Sequence, residues 1–511
     1  MATVTAGSTG GLGRLVLGVC IVAGASMSVT ASLNYLLKPM LEDLGVTRED
    51  ASPALAIPSI AAILVVFLAG ILGDRMGQRQ VLLGASTVFV VGSAVVGMAN
   101  SLTLLSVGLL LEGVGATFLS VVALGLLSAR ISDDGQRASA FASFGLVSPI
   151  VYMSLPVVTG LVVRDHSWRA VPVLWVVIGI VSAIAVFTLL PKSQRSGRSG
   201  ELGTPLLAGF VVAAAVQTLS HISDSGLLSP RVLLSFVACI IGLVALVIVY
   251  RRSPSPTLSL GPLRGGASAL LLIVVMLVPF ANTWYYATMA FQYIFGLTVL
   301  ATAMAMIPAQ IGGIIGAKAV AGPLMRRLGV RRAGILMLLG LAFGMVSVLV
   351  VRIDSPVWLL CLCVAVFSLF SVASGVVITN AIMSTSPRAE SGNTSAFKSA
   401  ATALGISLGY IIMGSIIFGA FNSSLSARYE AAGLTAEQAD EEITVLRQAT
   451  QQPDYLSQYG YPIPDGQSPT DIARQSLLDA LHLNGVLGGV IAVISAGVYA
   501  GRRRVSIPAR A

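Results

Sequence analysis

Apolar runs of about 20 residues recur from end to end of this chain, and they constrain its fold more than any other feature. A helix of that length crosses a hydrocarbon layer of roughly 30 Å. The composition agrees, because 55% of the residues are apolar and only 10% are charged, far from the balance of a soluble domain. We therefore predict an all-α integral membrane protein.

The polar breaks between these runs predict fourteen membrane spans. The first run is too long for a cleavable signal peptide, so it is expected to remain as the first span. An even number of spans places both termini on one side of the membrane. The predicted spans lie near residues 14–37, 52–72, 81–99, 103–128, 138–162, 170–190, 205–221, 232–250, 267–293, 300–322, 333–351, 356–384, 392–420 and 477–500.

Basic residues are concentrated in alternate loops, which sets the predicted orientation. The side with most of the arginines is predicted to be cytoplasmic, and both termini lie there. The formal net charge of +9 then reflects topology, so no nucleic-acid partner is expected. The basic loops carry Arg75, Arg79, Arg130, Arg137, Lys192, Arg195, Arg198, Arg251, Arg252, Arg264, Arg326, Arg327, Arg331, Arg332, Arg388 and Arg502 to Arg504, and the opposite loops carry Lys38, Arg48, Arg164, Arg169, Arg231 and Arg352.

The most specific motif follows the second predicted span and reads GILGDRMGQR over residues 70–79. Gly70 and Gly77 permit a close helix approach and a tight turn. Asp74 stands at a membrane boundary, where it can pair with an arginine or a helix N-terminus and must break that contact when two halves rock apart. The motif resembles the cytoplasmic loop signature of the major facilitator superfamily. It assigns Gly70, Asp74, Arg75, Gly77 and Arg79 to a gate.

A weaker copy of this motif, GPLMRRLGVRR at residues 322–332, occupies the matching loop of the second half. The resemblance implies the major facilitator fold, with two related six-helix bundles around a site near the membrane midplane. Two additional spans lie between the bundles. The predicted domains are residues 1–200 for the first bundle, 201–260 for the additional spans and 261–511 for the second bundle, with an extracellular loop at about 421–476.

The additional spans, together with Gln292, Gly296 and Pro308, resemble the fourteen-span drug:proton antiporters of this family. Membership of that branch implies export of small organic molecules, with the proton gradient as the energy source and no cofactor. Protons and the lipid bilayer are then partners besides the substrate.

The chain departs from that branch in three spans. Residues 26–34 of the first span contain no carboxylate, although the branch usually has one there. The fourth span reads LLLEGVG over residues 109–115, without the usual arginine and with Glu112 where glutamine is common. The fifth span retains only Pro156 and Gly160 of the antiporter signature, a pattern that predicts a helix bend.

Ionisable residues inside the predicted spans are functional candidates, because burying a charge in a membrane is costly. Glu112 lies roughly 15 Å into its span at about 1.5 Å per residue and is the candidate for proton coupling. A hydrogen-bonded structural carboxyl is the alternative. Lys398 either extends to the cytoplasmic surface, contacts an anionic group or pairs with Glu112 across the halves. Lys318 is predicted to extend to the surface.

Aromatic and amide side chains at cavity depth suit an amphipathic organic substrate. Taken singly, each is more often a helix-packing or lipid-interface residue than a ligand contact, and only the cluster around Trp284 stands out. The candidates for the substrate cavity are Asn34, Tyr35, Tyr152, Asn282, Trp284, Tyr285, Tyr286, Gln292 and Asn380, together with Lys398.

These features predict a secondary active transporter that exports amphipathic compounds by alternating access, coupled to protons. The alternative is a transporter of lipid-like or anionic cargo, which the two lysines within spans would suit. An enzyme is not expected, since no catalytic triad or nucleotide-binding loop occurs. The four cysteines all lie in apolar runs and indicate no metal site. We expect a monomer in a bacterial cell membrane.

Overall fold

The computed structural model describes residues 9–45, 48–131, 133–192, 201–225, 229–253, 258–259, 266–297, 299–385, 390–439, 441 and 468–501. Within these ranges every regular element is a helix, and the described residues contain no strand. The prediction of an all-α membrane fold is confirmed.

Seven helices form the first half of the chain. They are α1 (Thr9–Leu44), α2 (Arg48–Met76), α3 (Gln78–Gly97), α4 (Leu102–Arg130), α5 (Asp134–Gly145), α6 (Val147–Asp165) and α7 (Ala170–Leu189). Side chains that cap the first turn define the start of two of these helices. The Ser101 hydroxyl accepts a hydrogen bond from the Leu104 N–H at the start of α4, and the Asp133 carboxylate accepts one from the Gln136 N–H at the start of α5.

Two further helices, α8 (Gly203–Ser225) and α9 (Pro230–Arg252), follow the first half. They contact each other, and α8 also contacts α2. At Gly209 of α8, a Cβ would lie 2.0 Å from the carbonyl oxygen of Leu64, so only glycine permits this approach to α2. The outer face of α9 exposes residues such as Leu234 and Ile241, as expected for a surface in contact with lipid.

The described residues of the second half form eight helices. They are α10 (Gly266–Leu277), α11 (Trp284–Met289), α12 (Val299–Ala305), α13 (Ile307–Ile315), α14 (Gly322–Val346), α15 (Val357–Met383), α16 (Ser391–Ala431) and α17 (Pro469–Gly501). Short 3₁₀ segments at Val278–Phe280 and Ser347–Val350, and π-helical segments at Ala290–Ile294 and Gly316–Ala321, extend several of these helices.

Thirteen helical stretches among the described residues are long and apolar enough to cross a bilayer. One of them, Ala301–Val350, has 50 residues, which is more than twice the length that a single crossing needs. Its backbone leaves the helical conformation at Gly329, so this stretch contains two crossings. The total is the fourteen spans that the sequence predicts.

The helices form two bundles that meet face to face. In the first half, α1 contacts α4, α6 and α7, and α3 contacts α4 and α7. In the second half, α14 contacts α15 and α17, and α16 contacts α10 and α17. The halves join where α2 and α4 contact α16, and where α5 and α6 contact α15 and α13 respectively. Helix α8 touches both α2 and α16, so the additional pair covers one seam between the halves.

Three spans predicted as continuous helices are interrupted. The fifth span breaks at Leu146 between α5 and α6, ten residues before Pro156, while α6 itself continues through that proline. The ninth span breaks after a 3₁₀ turn, and the Asn282 carboxamide then accepts a hydrogen bond from the Trp284 N–H at 2.9 Å to start α11. In the tenth span, α12 ends at Ala305 and α13 begins at Ile307.

The predicted extracellular loop at about 421–476 is shorter in the structure, because helices extend into it from both sides. Helix α16 continues to Ala431, and α17 already begins at Pro469. The two extensions are joined by Arg428, whose guanidinium contacts Asp479 at 2.8 Å. Residues 442–467 of this segment lie outside the described part of the chain.

Candidate functional site

The end of the molecule that carries Arg75, Arg130 and Arg326 is called the basic end below, and the other end the opposite end. Asp74 lies at the basic end, in the last turn of α2. Its carboxylate faces the first turn of α16 in the other half. The Gly392 N–H lies 3.1 Å from each carboxylate oxygen, and the Asn393 N–H donates to Oδ2 at 3.2 Å. The sequence allowed either an arginine or a helix N-terminus as the partner of Asp74, and the structure shows the helix N-terminus. Free N–H groups and the helix dipole favour an anion there.

Gly70 brings the two backbones together beside this contact. A Cβ at Gly70 would lie 2.3 Å from the carbonyl oxygen of Gly392, and a Cβ at Gly392 would lie 2.2 Å from that of Gly70. Real Cβ atoms do not approach backbone this closely, so glycine is required on both helices. Without this approach, the α16 N–H groups would lie beyond hydrogen-bonding distance of Asp74.

Further contacts between the halves close the basic end. The Ser395 hydroxyl of α16 donates to the carbonyl oxygen of Val121 in α4 at 2.8 Å. One turn deeper, the rings of Phe67 and Phe397 stack edge to face at 5.1 Å. In this conformation the basic end is therefore sealed by α2 and α4 against α16.

The second arginine of the motif acts within its own half. Arg79 donates to the carbonyl oxygens of Val186 and Phe187 in the last turn of α7, and its guanidinium lies over the Phe187 ring. Arg14 of α1 donates to Thr188 O nearby at 2.9 Å. Carbonyl groups in the last turn of a helix lack donors within that helix. The two arginines therefore supply the hydrogen bonds that the last turn of α7 needs. Arg75 lies half-buried beside Asp74 at the end of α2.

The weaker motif of the second half adopts the same geometry. Gly77 and Gly329 both have a positive φ, 96° and 74°, where L-residues are strained. Two residues after Gly329, Arg331 donates to the carbonyl oxygen of Ala500 in the last turn of α17, just as Arg79 does on α7. The Tyr499 hydroxyl also donates to Val330 O at 2.9 Å. The two loops are thus structurally equivalent.

Replacing Gly329 by alanine is expected to destabilise the protein by about 1–2 kcal/mol, because a Cβ clashes with the backbone at positive φ. The measurement is thermal unfolding of the purified variant. Gly497→Ala serves as the control, since nothing lies within 4 Å of its Cβ position and its φ is not positive. Equal melting temperatures for the two variants would contradict the assignment of strain to Gly329.

Glu112 is buried within the first half, with 1% of its surface exposed. Its Oε1 accepts a hydrogen bond from the Ser93 hydroxyl at 2.8 Å, and its Oε2 has no partner among the described residues. Gly92 makes room for this side chain, because a Cβ there would lie 2.7 Å from the Glu112 nitrogen. The carboxyl therefore sits between α3 and α4 with one oxygen available.

A cavity of about 200 Å³ adjoins this carboxyl between α1, α2 and α4. Its walls are rich in hydroxyl groups. Several of these already donate to backbone within their own helices, as Ser26 does to Ala23 O and Thr117 to Gly113 O, so their oxygens remain free to accept. The cavity can accommodate water or a small cation beside Glu112. The hydroxyl-bearing lining residues are Ser26, Thr30, Ser59, Thr117 and Ser120.

Three tyrosines from both halves converge farther from the basic end. Tyr285 of α11 and Tyr410 of α16 line one small cavity, and Tyr152 of α6 in the first half lies near Tyr410. All three are exposed in part, by 46%, 57% and 38% respectively. Tyr410 is not among the residues that the sequence selected. Trp284 points elsewhere, edge to face with Phe367 at 6.1 Å inside the second half.

The remaining candidates are dispersed. Gln292 lies in the π-helical segment and lines a separate cavity of the second half. Asn380 was predicted to line the substrate cavity, but it lies one turn from the basic end of α15. There its Nδ2 contacts Met325 Sδ at 3.5 Å, and it lines neither the cavity beside Glu112 nor the cavity around Gln292. Asn34 and Tyr35 belong to α1, but their side chains lie outside the described residues.

Lys398 and Gly160 take no part in the contacts described above. Of the alternatives for Lys398, a pair with Glu112 is not formed in this conformation, and Lys398 has no ion-pair partner within the described part of the chain. Gly160 has no neighbour within 4 Å of its Cβ position, so it mediates no helix contact in this conformation. The two halves come close about three turns before Gly160 on α6. There a Cβ at Gly313 of α13 would lie 3.0 Å from Pro149.

At the opposite end, Asp43 connects α1 to the start of α7. The Trp168 indole donates to its carboxylate at 3.1 Å, and Arg169 forms an ion pair with it. The Arg169 hydrogen bond holds the pKa of Asp43 below its usual range. Both partners belong to the first half, so this contact stabilises one bundle rather than the junction between halves.

Two helical halves sealed at one end through a carboxylate and a helix N-terminus define a multi-pass membrane transporter rather than an enzyme. Comparison with known proteins identifies its family. The family profile of the Major Facilitator Superfamily matches residues 17–410. The chain belongs to this superfamily.

Curated relatives and a solved structure agree with that family. The multidrug resistance protein Stp of Mycobacterium tuberculosis is 24% identical over 411 residues, covering 78% of this chain and 75% of the relative. The puromycin resistance protein pur8 of Streptomyces alboniger is 24% identical over 415 residues, covering 79% and 82%. The crystal structure of the human organic anion transporter MFSD10 has a TM-score of 0.61 at 11% identity, covering 96% and 98% of the two chains, and shares the fold.

Proposed function

We propose that this transporter exports small amphipathic organic compounds, drugs or metabolites, by alternating access between its two halves. The observation that carries this proposal is the seal at the basic end. Among the described residues, Asp74 reaches across the halves to backbone N–H groups of α16, and this contact must break when the halves separate. With the basic end cytoplasmic, as the positive-inside rule indicates, this conformation is closed to the cytoplasm.

The tyrosines that converge from both halves support an amphipathic substrate. Phenol rings offer broad apolar faces and hydroxyl groups that donate or accept hydrogen bonds. Because Tyr152 and Tyr410 lie on opposite halves, a relative rotation of the halves changes the distance between them. The affinity for a bound molecule changes with that distance. Relatives named for resistance to several drugs support the same class of cargo.

Proton coupling through Glu112 supplies the energy in this proposal, and no cofactor takes part. A carboxyl removed from water needs a proton, a cation or strong hydrogen bonds, and Glu112 has one hydroxyl donor among the described residues. The hydroxyl-lined cavity beside it gives protons a polar path. We further propose that the protein acts as a monomer in the bacterial inner membrane, with both termini cytoplasmic and no nucleic-acid partner.

A second candidate is transport of anionic or lipid-like cargo, which Lys398 favours. Its side chain lies within α16 without an ion-pair partner among the described residues, in the half that contains Tyr410. A half-buried ammonium within a span is an attractive site for a carboxylate or phosphate group. Lys398→Ala should then reduce transport of anions more than that of cations.

A resistance and accumulation screen tests the proposed function. Cells that express the protein should survive higher doses of some cationic or neutral amphipathic compounds and should accumulate less of them. Tyr410→Ala should restore accumulation, whereas Tyr250→Ala, on the peripheral helix α9, should not. Selective protection against anionic compounds alone would favour the second candidate. No protection against any compound, with the protein present in the membrane, would refute export.

A further inference from the structure

A cavity of about 590 Å³, whose described lining residues all belong to the second half, lies at the opposite end of the molecule. It is called the outer cavity here. Its described walls come from α11 with the adjoining π-helical segment, from α16 and from α17. The volume is within the range of small-molecule sites, about 300–1,000 Å³. Because both sides belong to one bundle, the outer cavity is separate from the interface where the halves meet.

The outer cavity is elongated and has a polar mouth. Along α17 it is lined by Thr470, Arg474, Leu477 and Ala480, which share one helix face. The ten helical steps from Thr470 to Ala480 span about 15 Å. Thr470 and Arg474 lie at the mouth, whereas Leu477 and Ala480 lie deeper. A molecule with a polar head and an apolar body about this long matches the distribution.

The other walls repeat this gradient. Gln292 and Asn422 place carboxamide groups near the mouth, while Met289 and Ile417 line the deeper part. The π-helical segment at Ala290–Ile294 contains Gln292, and such segments are frequent at functional sites because they redirect side chains.

Arg474 is the sole charged residue among the described lining residues, so the formal charge on the wall is that of its guanidinium. Its NH1 contacts Asp471 Oδ1 at 3.1 Å, but the two side chains are 43% and 60% exposed and only three residues apart. Such an exposed pair contributes little and leaves the other N–H groups of the guanidinium available. Asp471 itself does not line the cavity. An anionic head group is therefore the complementary ligand.

We propose that the outer cavity binds an anionic amphiphile, with its acidic head at Arg474 and its apolar chain between α16 and α17. This site goes beyond the proposed transport pathway. Since every described wall belongs to the second half, ligand affinity should not depend on whether the basic end is open or closed.

Binding of dansyl-labelled undecanoic acid to the full chain in phosphatidylcholine nanodiscs tests this site. The dansyl emission should rise saturably above that of protein-free nanodiscs. Arg474→Gln should weaken binding of the acid about tenfold, the effect of losing one charge-assisted hydrogen bond, and should leave the weaker binding of its methyl ester unchanged. Arg164→Gln is the matched control, because Arg164 also pairs with an exposed aspartate but belongs to the first half and does not line the cavity.

Steric variants separate the outer cavity from nonspecific partition into lipid. Leu477→Trp fills the deep part and should abolish saturable binding of both acid and ester. Ala473→Leu, a milder change at the mouth, should weaken both while the protein remains monodisperse. Absence of saturable binding to the wild-type protein, or binding that neither steric variant reduces, would overturn the proposal. Equal affinity for acid and ester would contradict the proposal that Arg474 binds an anionic head group.

Asp74→Asn provides a further check on the independence of the site. It should leave affinity for the dansyl acid within error of the wild-type value, even where it alters transport. A large loss of affinity in this variant would show that the cavity changes with the gate and would contradict its assignment to one rigid bundle.

Discussion

Glu112→Gln is expected to abolish substrate-induced proton movement in proteoliposomes while leaving the protein folded. The amide keeps the shape of the side chain and can still bond Ser93, but it neither takes up nor releases a proton. The measurement is dissipation of an imposed pH gradient, followed with an internal pH dye when substrate is added. The wild-type protein should dissipate the gradient, and the variant should match protein-free vesicles.

Two control variants distinguish the loss of the Glu112 carboxyl from other changes on the same helices. Ser93→Ala removes the hydroxyl that donates to Oε1 and should shift the pH at which coupling is half-maximal without removing it. Thr87→Ala, which loses an exposed hydroxyl on the same helix, should behave like the wild type. Undiminished proton movement in Glu112→Gln would exclude this residue as the proton carrier.

Gly70→Val should eliminate transport by preventing closure of the basic end. A side chain at this position meets the carbonyl oxygen of Gly392, which belongs to backbone and cannot move aside. The halves must then stay apart, and Asp74 loses the N–H groups of α16. We expect substrate flux at the background level with normal amounts of protein in the membrane.

Cysteine accessibility measures that effect directly. In a background without native cysteines, Ser395→Cys is buried between α4 and α16 when the basic end is closed. It should react slowly with a membrane-impermeant maleimide applied to the basic end, and Gly70→Val should make it react rapidly. Gly84→Val is the control, since nothing lies within 4 Å of its Cβ position. Slow labelling in both variants would contradict the role given to Gly70.

The sequence predicted the spans well because lipid imposes a simple rule on composition and length. It also predicted that Asp74 binds an arginine or a helix N-terminus, but it did not choose between them. Backbone N–H groups exist at every helix start and leave no mark in the sequence. The choice depends on the approach of Gly70 to Gly392, residues more than 300 positions apart.

Other features escaped prediction because they depend on depth and rotation within a bundle. Asn380 was predicted at cavity depth, yet α15 places it near the basic end against Met325. Tyr410 was missed, since one tyrosine in an apolar run has no distinctive pattern. The interrupted ninth span reads as a continuous apolar run, although Pro279 and Asn282, the residues that break it and restart it, are both visible in the sequence.

Inside-out membrane vesicles from expressing cells show directly whether protons drive export. The substrate is a compound against which the protein protects cells, and an acid vesicle interior imposes the gradient. We expect uptake that starts when the gradient is imposed and stops when nigericin collapses it. The Glu112→Gln variant should show no such uptake. Uptake that continues at the same rate after the gradient has collapsed would contradict proton-driven export.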